Sequence, residues 1–362
     1  MTQNLRQAAG SLLMVGLGGF EITGLERAWL KLLGPAGIIL FRRNIADAKQ
    51  TRELLAAATA ACAAHCLRSV DVEGGVVDRL RDALAPMPSA RAVARTRQEK
   101  LSREHGELIG RAVKAFGFNT TLAPVLDLGL PESAAVMGTR CASATADGVI
   151  EYTRVFLSGL AKEDVAGCGK HFPGLGAGTL DSHQQTPSIE RDWSTLWRED
   201  LKPYRTLRDA LPMVMVNHAL YPKTKDKTHP ASVSKFWIQA ILRKRIGYRG
   251  LILSDDLEMG GILNCKTMEE AAVEAIRAGT DLIEICHSPE LIFRAYEALV
   301  AEAERSPVFR EVVLARARES ARKRARLYAE PISRPLTQKQ FECLRDQILR
   351  FSAKVNASEV SA

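Results

Sequence analysis

An α/β fold, a (β/α)8 TIM-type barrel carrying a C-terminal helical extension, is what the sequence predicts, and three observations predict it. Short β-favouring runs recur eight times in alternation with longer helical stretches, which implies a parallel sheet. The eight units fill roughly 250 to 300 residues, the size of a closed barrel. Polar residues fall again and again at the C-terminal ends of the strand candidates: Asp71, Asp127, Lys170 with His171, Asn217 with His218, Asp255 and His287. Barrel enzymes gather their chemistry on that face, whereas an open doubly wound sheet concentrates ligand groups near one switch point.

The elements follow in order. Leu12–Leu17 leads into a helix around Thr23–Leu33, and Ala36–Phe41 into an Ala-rich helix near Ala46–Ala64. The run Ser11–Phe20 is short, broken by three Gly and without a small-residue cleavage site, so it reads as a first strand and not as a leader. Leu67–Val72 is the third strand, followed after an irregular section by a helix over Gln98–Phe116. Asn119–Leu126 is the fourth, with a helix at Ala144–Lys162, and Val165–His171 the fifth. Met213–Asn217, Gly250–Ser254 and Asp281–Cys286 complete the set, each followed by helix: Ser234–Arg245, Met268–Ala278 and Pro289–Glu304. Residues 1–306 are expected to form the catalytic barrel. Residues 307–362 form the extension, with helices at Arg310–Tyr328 and Thr337–Phe351 and a frayed end from Ser352.

Composition excludes several classes. Of 362 residues, 46% are hydrophobic and 25% charged, which suits a globular chain with a sizeable core. The net charge of +8 favours a polyanion, yet much of the excess lies in Arg310–Arg326, which reads as a solvated helical face, so no nucleic-acid partner is expected. Seven scattered Cys without a CxxC pair fit neither a disulfide framework nor a zinc knuckle and point to a reducing compartment. No run reaches the roughly 18 apolar residues that a membrane span needs.

The chemistry concentrates in KHFPGLGAGTLDSHQQTP, Lys170–Pro187, where Gly174, Gly176, Gly178 and Pro173 forbid regular structure. Asp181 lies two residues before His183, close enough in a loop to hold one ring nitrogen and leave the other to substrate; a bare DxH also occurs on ordinary surfaces. Asp255 ends the buried run Leu251–Ser254, and a carboxylate there needs a partner or a purpose. Capping the next helix is the other role for an Asp after a strand, and Asp256 is the better candidate for it. Lys170 and His171 supply cationic donors, and Asp71 and Arg79 flank a Gly-Gly turn. His171, His183, His218 and His287 come from distant strands with no HxH or HExxH pair, so neither metal nor organic cofactor is expected. Gly174–Gly178 lacks the pattern of a nucleotide-binding loop.

With these residues in place, KHFPG-x-G-x4-DSH, D-x-EGG-x-V-x-R and SDDL-x-M resemble glycoside hydrolase family 3, in its β-N-acetylhexosaminidase branch, over roughly Gly10–Ala303. The resemblance implies a (β/α)8 barrel and retaining hydrolysis, with Asp255 as nucleophile and His183, oriented by Asp181, as acid and base. It also implies that Asp71, Arg79, Arg140, Lys170, His171 and His218 hold the sugar. The substrate it implies is a GlcNAc-containing muropeptide (GlcNAc-anhydroMurNAc), cleaved in the cytoplasm during peptidoglycan recycling. The chain departs from the family pattern at Leu175, where the family usually has His, and at Val72, Val76 and Leu80. A β-glucosidase, a β-GlcNAc phosphorylase and a noncatalytic muropeptide-binding protein are the competing readings.

Overall fold

The structure, a computed structural model, describes residues 4–179, 185–327 and 334–360. Eight strands close into a barrel in chain order: β1 (Leu13–Gly16), β2 (Gly37–Leu40), β3 (Leu67–Val70), β4 (Thr120–Thr121), β5 (Ala166–Phe172), β6 (Met213–Val216), β7 (Leu251–Asp256) and β8 (Leu282–Ile285). Each pairs in parallel with the next, and β8 returns to β1 with Leu13 opposite Ile283. The (β/α)8 expectation is met strand for strand.

The strands are apolar on both faces because both faces are covered. Met14, Ile39, Leu67, Leu122, Met213, Leu251 and Leu282 fill the barrel interior, while Val15, Ile38, Val70, Val214, Ile252 and Ile283 belong to the larger core shared with the helices. Local chemistry fixes the helix ends. Thr23 and Thr267 each form a capping box, with Glu26 and Glu270 respectively, and those two helices stop at Gly34 (φ 59°) and Gly279 (φ 108°), in the left-handed region that glycine enters without steric cost.

Three expectations need correction. β4 spans two residues, not eight, because Pro124 offers no N–H to extend the ladder. Pairing resumes beyond it, where Leu126 N donates to Lys170 O. Between β5 and β6 lie two helices of six residues, Trp193–Arg198 and Lys202–Leu207, each too short to show a 3.6-residue period. At the C-terminus, the chain from Ser352 continues a helix that runs Gln338–Val360, with Ile348, Phe351 and Val355 buried and Phe351 stacked on His105 at 5.8 Å. Apolar contacts with the helix Glu99–Ala115, not capping, carry it past Phe351.

The Arg-rich segment, too, is not simply a solvated face. Its helix, Pro307–Leu327, packs on the helices Leu5–Gly10 and Pro289–Arg305 and reaches β7. Arg324 is buried, its Nη1 donating to His65 O at 2.9 Å. Asp281, fully buried just before β8, accepts from Arg243 Nη2 (2.6 Å), Lys323 Nζ (2.9 Å) and the Ile252 amide (2.8 Å). One carboxylate thus ties the extension to the end of the barrel opposite the site. Among the described residues no helix is long and apolar enough to cross a membrane.

Removing that carboxylate takes from the largely buried Arg243 its ion-pair partner and leaves Lys323 only Glu319, 3.1 Å away, so Asp281→Ala is expected to destabilise the fold by about 3–5 kcal/mol in urea denaturation. A loss below ~1 kcal/mol would show that water or other groups take over the role.

Candidate active site

A cleft of about 660 Å³ opens at the C-terminal ends of the strands. Of the residues singled out in the sequence, Asp71, Arg79, Arg140, Lys170, His171 and Asp255 line it, with Leu122, Met215 and Glu284 among the other lining residues. Asp181 and His183 lie outside the described residues. Six residues from five separate stretches of chain therefore line one cleft.

Two strand irregularities make this possible. Along a regular strand adjacent side chains point to opposite faces, so neighbours cannot both face one cleft. In β5 the register against β6 slips between Gly169 and Phe172, and in β7 it slips opposite Leu282 and Glu284 of β8. Each slip inserts an extra residue, which re-aims a side chain. Lys170 and His171 consequently both line the cleft, and so do Asp255 and Asp256. The Lys170–His171 and Phe172–Pro173 peptide bonds are both cis.

Charge holds the wall of the cleft. Lys170, 3% exposed, places Nζ 2.8 Å from Asp71 Oδ1 and 2.7 Å from Glu73 Oε1. Glu73 also takes a two-point grip from Arg140, whose Nε and Nη2 each donate at 2.8 Å. Burial alone would raise the Glu73 pKa; the adjacent Arg140 and Lys170 charges more than reverse this and hold it far below the usual carboxylate range. Arg79 stands 3.7 Å from the other oxygen of Asp71. His171 Nδ1 sits 2.6 Å from Asp127 Oδ2, which also accepts the His171 amide, while Asp127 Oδ1 accepts the Leu175 amide at 2.7 Å. With Nδ1 donating to the carboxylate, the Nε2 edge is left for the cleft side, 3.4 Å from Arg140 Nη2. Glu73 and Asp127 are functional supports that were not chosen from sequence. Each had a signal: Glu73 sits inside the quoted EGG motif, and Asp127 stands among the strand-end polar residues.

Asp255 is partly exposed at the end of β7. Burial opposes its ionisation, but the charges of His171, His218 and Lys170 outweigh it and keep the carboxyl below its ordinary range. Lys170 is the permanent cation among them, since burial drives His218 toward its neutral form. At neutral pH Asp255 is a carboxylate. Glu284 is the opposite case: burial, then the nearby Asp256, Asp71 and Asp255, push its carboxyl well above the usual range.

Two residues take places other than those expected. His218 is fully buried and does not line the cleft; its Nδ1 meets Ser232 Oγ at 2.7 Å and its Nε2 meets the Asp256 carbonyl at 3.0 Å. With both nitrogens engaged it braces the end of β7. Asp256 does not cap the following helix, Gly260–Leu263, whose N-cap is Met259; its Oδ1 accepts the Glu258 amide at 3.0 Å instead. The bulge turns it toward the cleft.

A closed parallel barrel with an ionised carboxylate at one strand end and a braced set of buried charges beside it fits the class of barrel glycoside hydrolases. The model of the glycosyl hydrolase family 3 N-terminal domain matches residues 4–318, and the chain belongs to glycoside hydrolase family 3. A β-hexosaminidase of Idiomarina loihiensis is 36% identical over 279 residues, 76% of this chain and 83% of that protein. The structure of a family 3 β-N-acetylglucosaminidase from Paenibacillus sp. FPU-7 superposes with a TM-score of 0.86 at 30% identity, covering 97% of this chain and 69% of that one. NagZ from Neisseria gonorrhoeae in complex with N-trifluoroacetyl-D-glucosamine gives 0.76 at 26% identity, covering 94% and 98%. Within the family the chain groups with the β-N-acetylhexosaminidases, and it is a glycoside hydrolase.

Because Glu73 has its pKa lowered on folding, it contributes stability that is full above the unfolded carboxylate range and lost as pH falls toward the folded value. Lys170→Met is expected to lower stability at neutral pH by about 3–5 kcal/mol. It should also flatten the rise of stability between about pH 2 and about pH 5, read from urea denaturation at a series of pH values. An unchanged pH slope would mean that Arg140 alone sets the ionisation of Glu73.

Proposed function

We propose that this protein is a retaining exo-β-N-acetylglucosaminidase that removes terminal β-GlcNAc from muropeptides of the GlcNAc-anhydroMurNAc type, in the cytoplasm, as a step of peptidoglycan recycling. The observation that carries the reading is Asp255: an ionised carboxylate in the cleft, beside the braced group formed by Asp71, Lys170 and Arg140. The kinship with β-hexosaminidases, and the GlcNAc derivative bound by the gonococcal relative, support the choice of sugar.

In this reading Asp71 accepts hydrogen bonds from adjacent hydroxyls, Arg79, Arg140 and Lys170 donate to the remaining hydroxyls and the acetamido group, and His171 holds a hydroxyl with its Nε2 edge. Asp255 attacks the anomeric carbon, the glycosidic bond breaks, and the departing oxygen takes a proton from His183. Water then attacks the glycosyl ester, gives its proton back to His183, and releases the sugar with Asp255 regenerated. Asp181 orients His183. His218 acts one step removed, by holding the backbone that carries Asp255. Residues 1–306 form the catalytic barrel in this scheme and residues 307–362 its extension.

Turnover of an aryl β-GlcNAc glycoside tests the activity, and Asp255→Ala is expected to reduce kcat by at least ~1,000-fold. Glucose glycosides and added phosphate should not raise the rate, which separates a β-glucosidase and a phosphorylase from the hydrolase. Binding of muropeptide without any turnover would instead mark a binding protein. His183→Ala should lose about 100- to 10,000-fold on substrates with poor leaving groups and far less on activated aryl glycosides, because only the former need a proton. Equal losses on both would contradict the acid/base assignment.

A further inference from the structure

Beside Asp255 lies a second group of side chains that the hydrolytic scheme does not use. Asp256 ends β7, while Cys286 and His287 follow directly on β8, so pairing of the two strands brings them together. One ligand atom from each, a carboxylate oxygen, the Cys286 thiol sulfur and a His287 ring nitrogen, lies within 4.8 Å of the others. His287 Nδ1 is 3.6 Å from Asp256 Oδ2 and 2.9 Å from Glu258 Oε2. A separate observation concerns Glu284, on the same strand as Cys286. It is 3% exposed, its Oε1 accepts from the Cys286 thiol at 3.1 Å, and its Oε2 is buried without a hydrogen-bond partner. A buried carboxylate oxygen with nothing to bind is costly unless a proton or a cation meets it.

The cation that faces this group, Arg43, is spent elsewhere. Its Nη2 donates to the Cys286 carbonyl at 2.6 Å and its Nε to the Leu17 carbonyl at 3.1 Å, so neither of these bonds goes to a carboxylate of the cluster. The His287 side chain is 54% exposed, which gives an ion a way in from solvent.

We infer that Asp256, Cys286 and His287, with the Glu284 carboxylate against the Cys286 thiol, form a binding site for a thiophilic divalent cation of the zinc class. Sulfur, imidazole and carboxylate together select such an ion over magnesium or calcium, which take oxygen alone. The donors need to draw in by about 1 Å to reach tetrahedral bond lengths of about 2.0–2.3 Å. His287 turns from Glu258 to the metal, and the thiol gives up its proton to solvent as the sulfur–metal bond forms. No oxidation state changes.

Cobalt(II) added to the metal-free full chain reads the site directly, since a thiolate ligand gives a near-ultraviolet charge-transfer band, and zinc should abolish the band by competition. Cys286→Ser should remove the band, and His287→Ala, at a half-exposed position, should keep the fold and weaken cobalt binding by about tenfold or more. A parent protein without the band at saturating cobalt overturns the proposal, as does unchanged affinity in His287→Ala. The readout needs no turnover, so its outcome stands apart from that of the hydrolase assay.

Discussion

Lys170 is the charge around which the cleft is built. A buried ammonium must be compensated, and Asp71 and Glu73 both close on it. Glu73 in turn requires Arg140, which reaches His171, and His171 is held by Asp127. Each link satisfies the desolvation of the one before it, so the cleft-lining groups are fixed by electrostatic necessity. Asp71 and Arg140 are thereby held in place, and a ligand entering the cleft need not reorient them.

The barrel divides its labour between two ends. At the far end, Asp281 gathers Arg243, Lys323 and a strand amide and so anchors the helix Pro307–Leu327. At the near end, extra residues in β5 and β7 spend regular pairing on function, turning two adjacent pairs of side chains into the cleft. The anchor of the extension and the cleft are thereby separated by the length of the barrel. Leu175 itself has two roles. Its amide helps hold Asp127, a task that any residue with an N–H performs, while its side chain lines the cleft and gives that part of it an apolar surface.

Much was legible from the chain alone. The eight strands and most barrel helices follow from apolar runs, turn residues and caps, which are local properties, and the positions of Asp71, Lys170, His171 and Asp255 at strand ends follow from where those runs stop. The unforeseen elements are those with weak local signals: the two six-residue helices before β6 and the early end of β4 at Pro124. The tail after Phe351 is helical because Val355 finds a buried place against the body of the protein, a contact that no local pattern announces.

Sequence by itself determined the architecture and the family, because period, spacing and motif order survive without knowledge of distance. Tertiary structure decided which of those residues meet. It moved His218 from the sugar to a brace behind β7, turned Asp256 from a cap into a wall of the cleft, and made Glu73 and Asp127 the supports of Lys170 and His171. It also set Cys286 and His287 beside Asp256, thirty positions away in the chain. The physical reason is the same throughout. A side chain's direction at a strand end depends on bulges and on partner strands, and pairing between distant segments is invisible to any local reading.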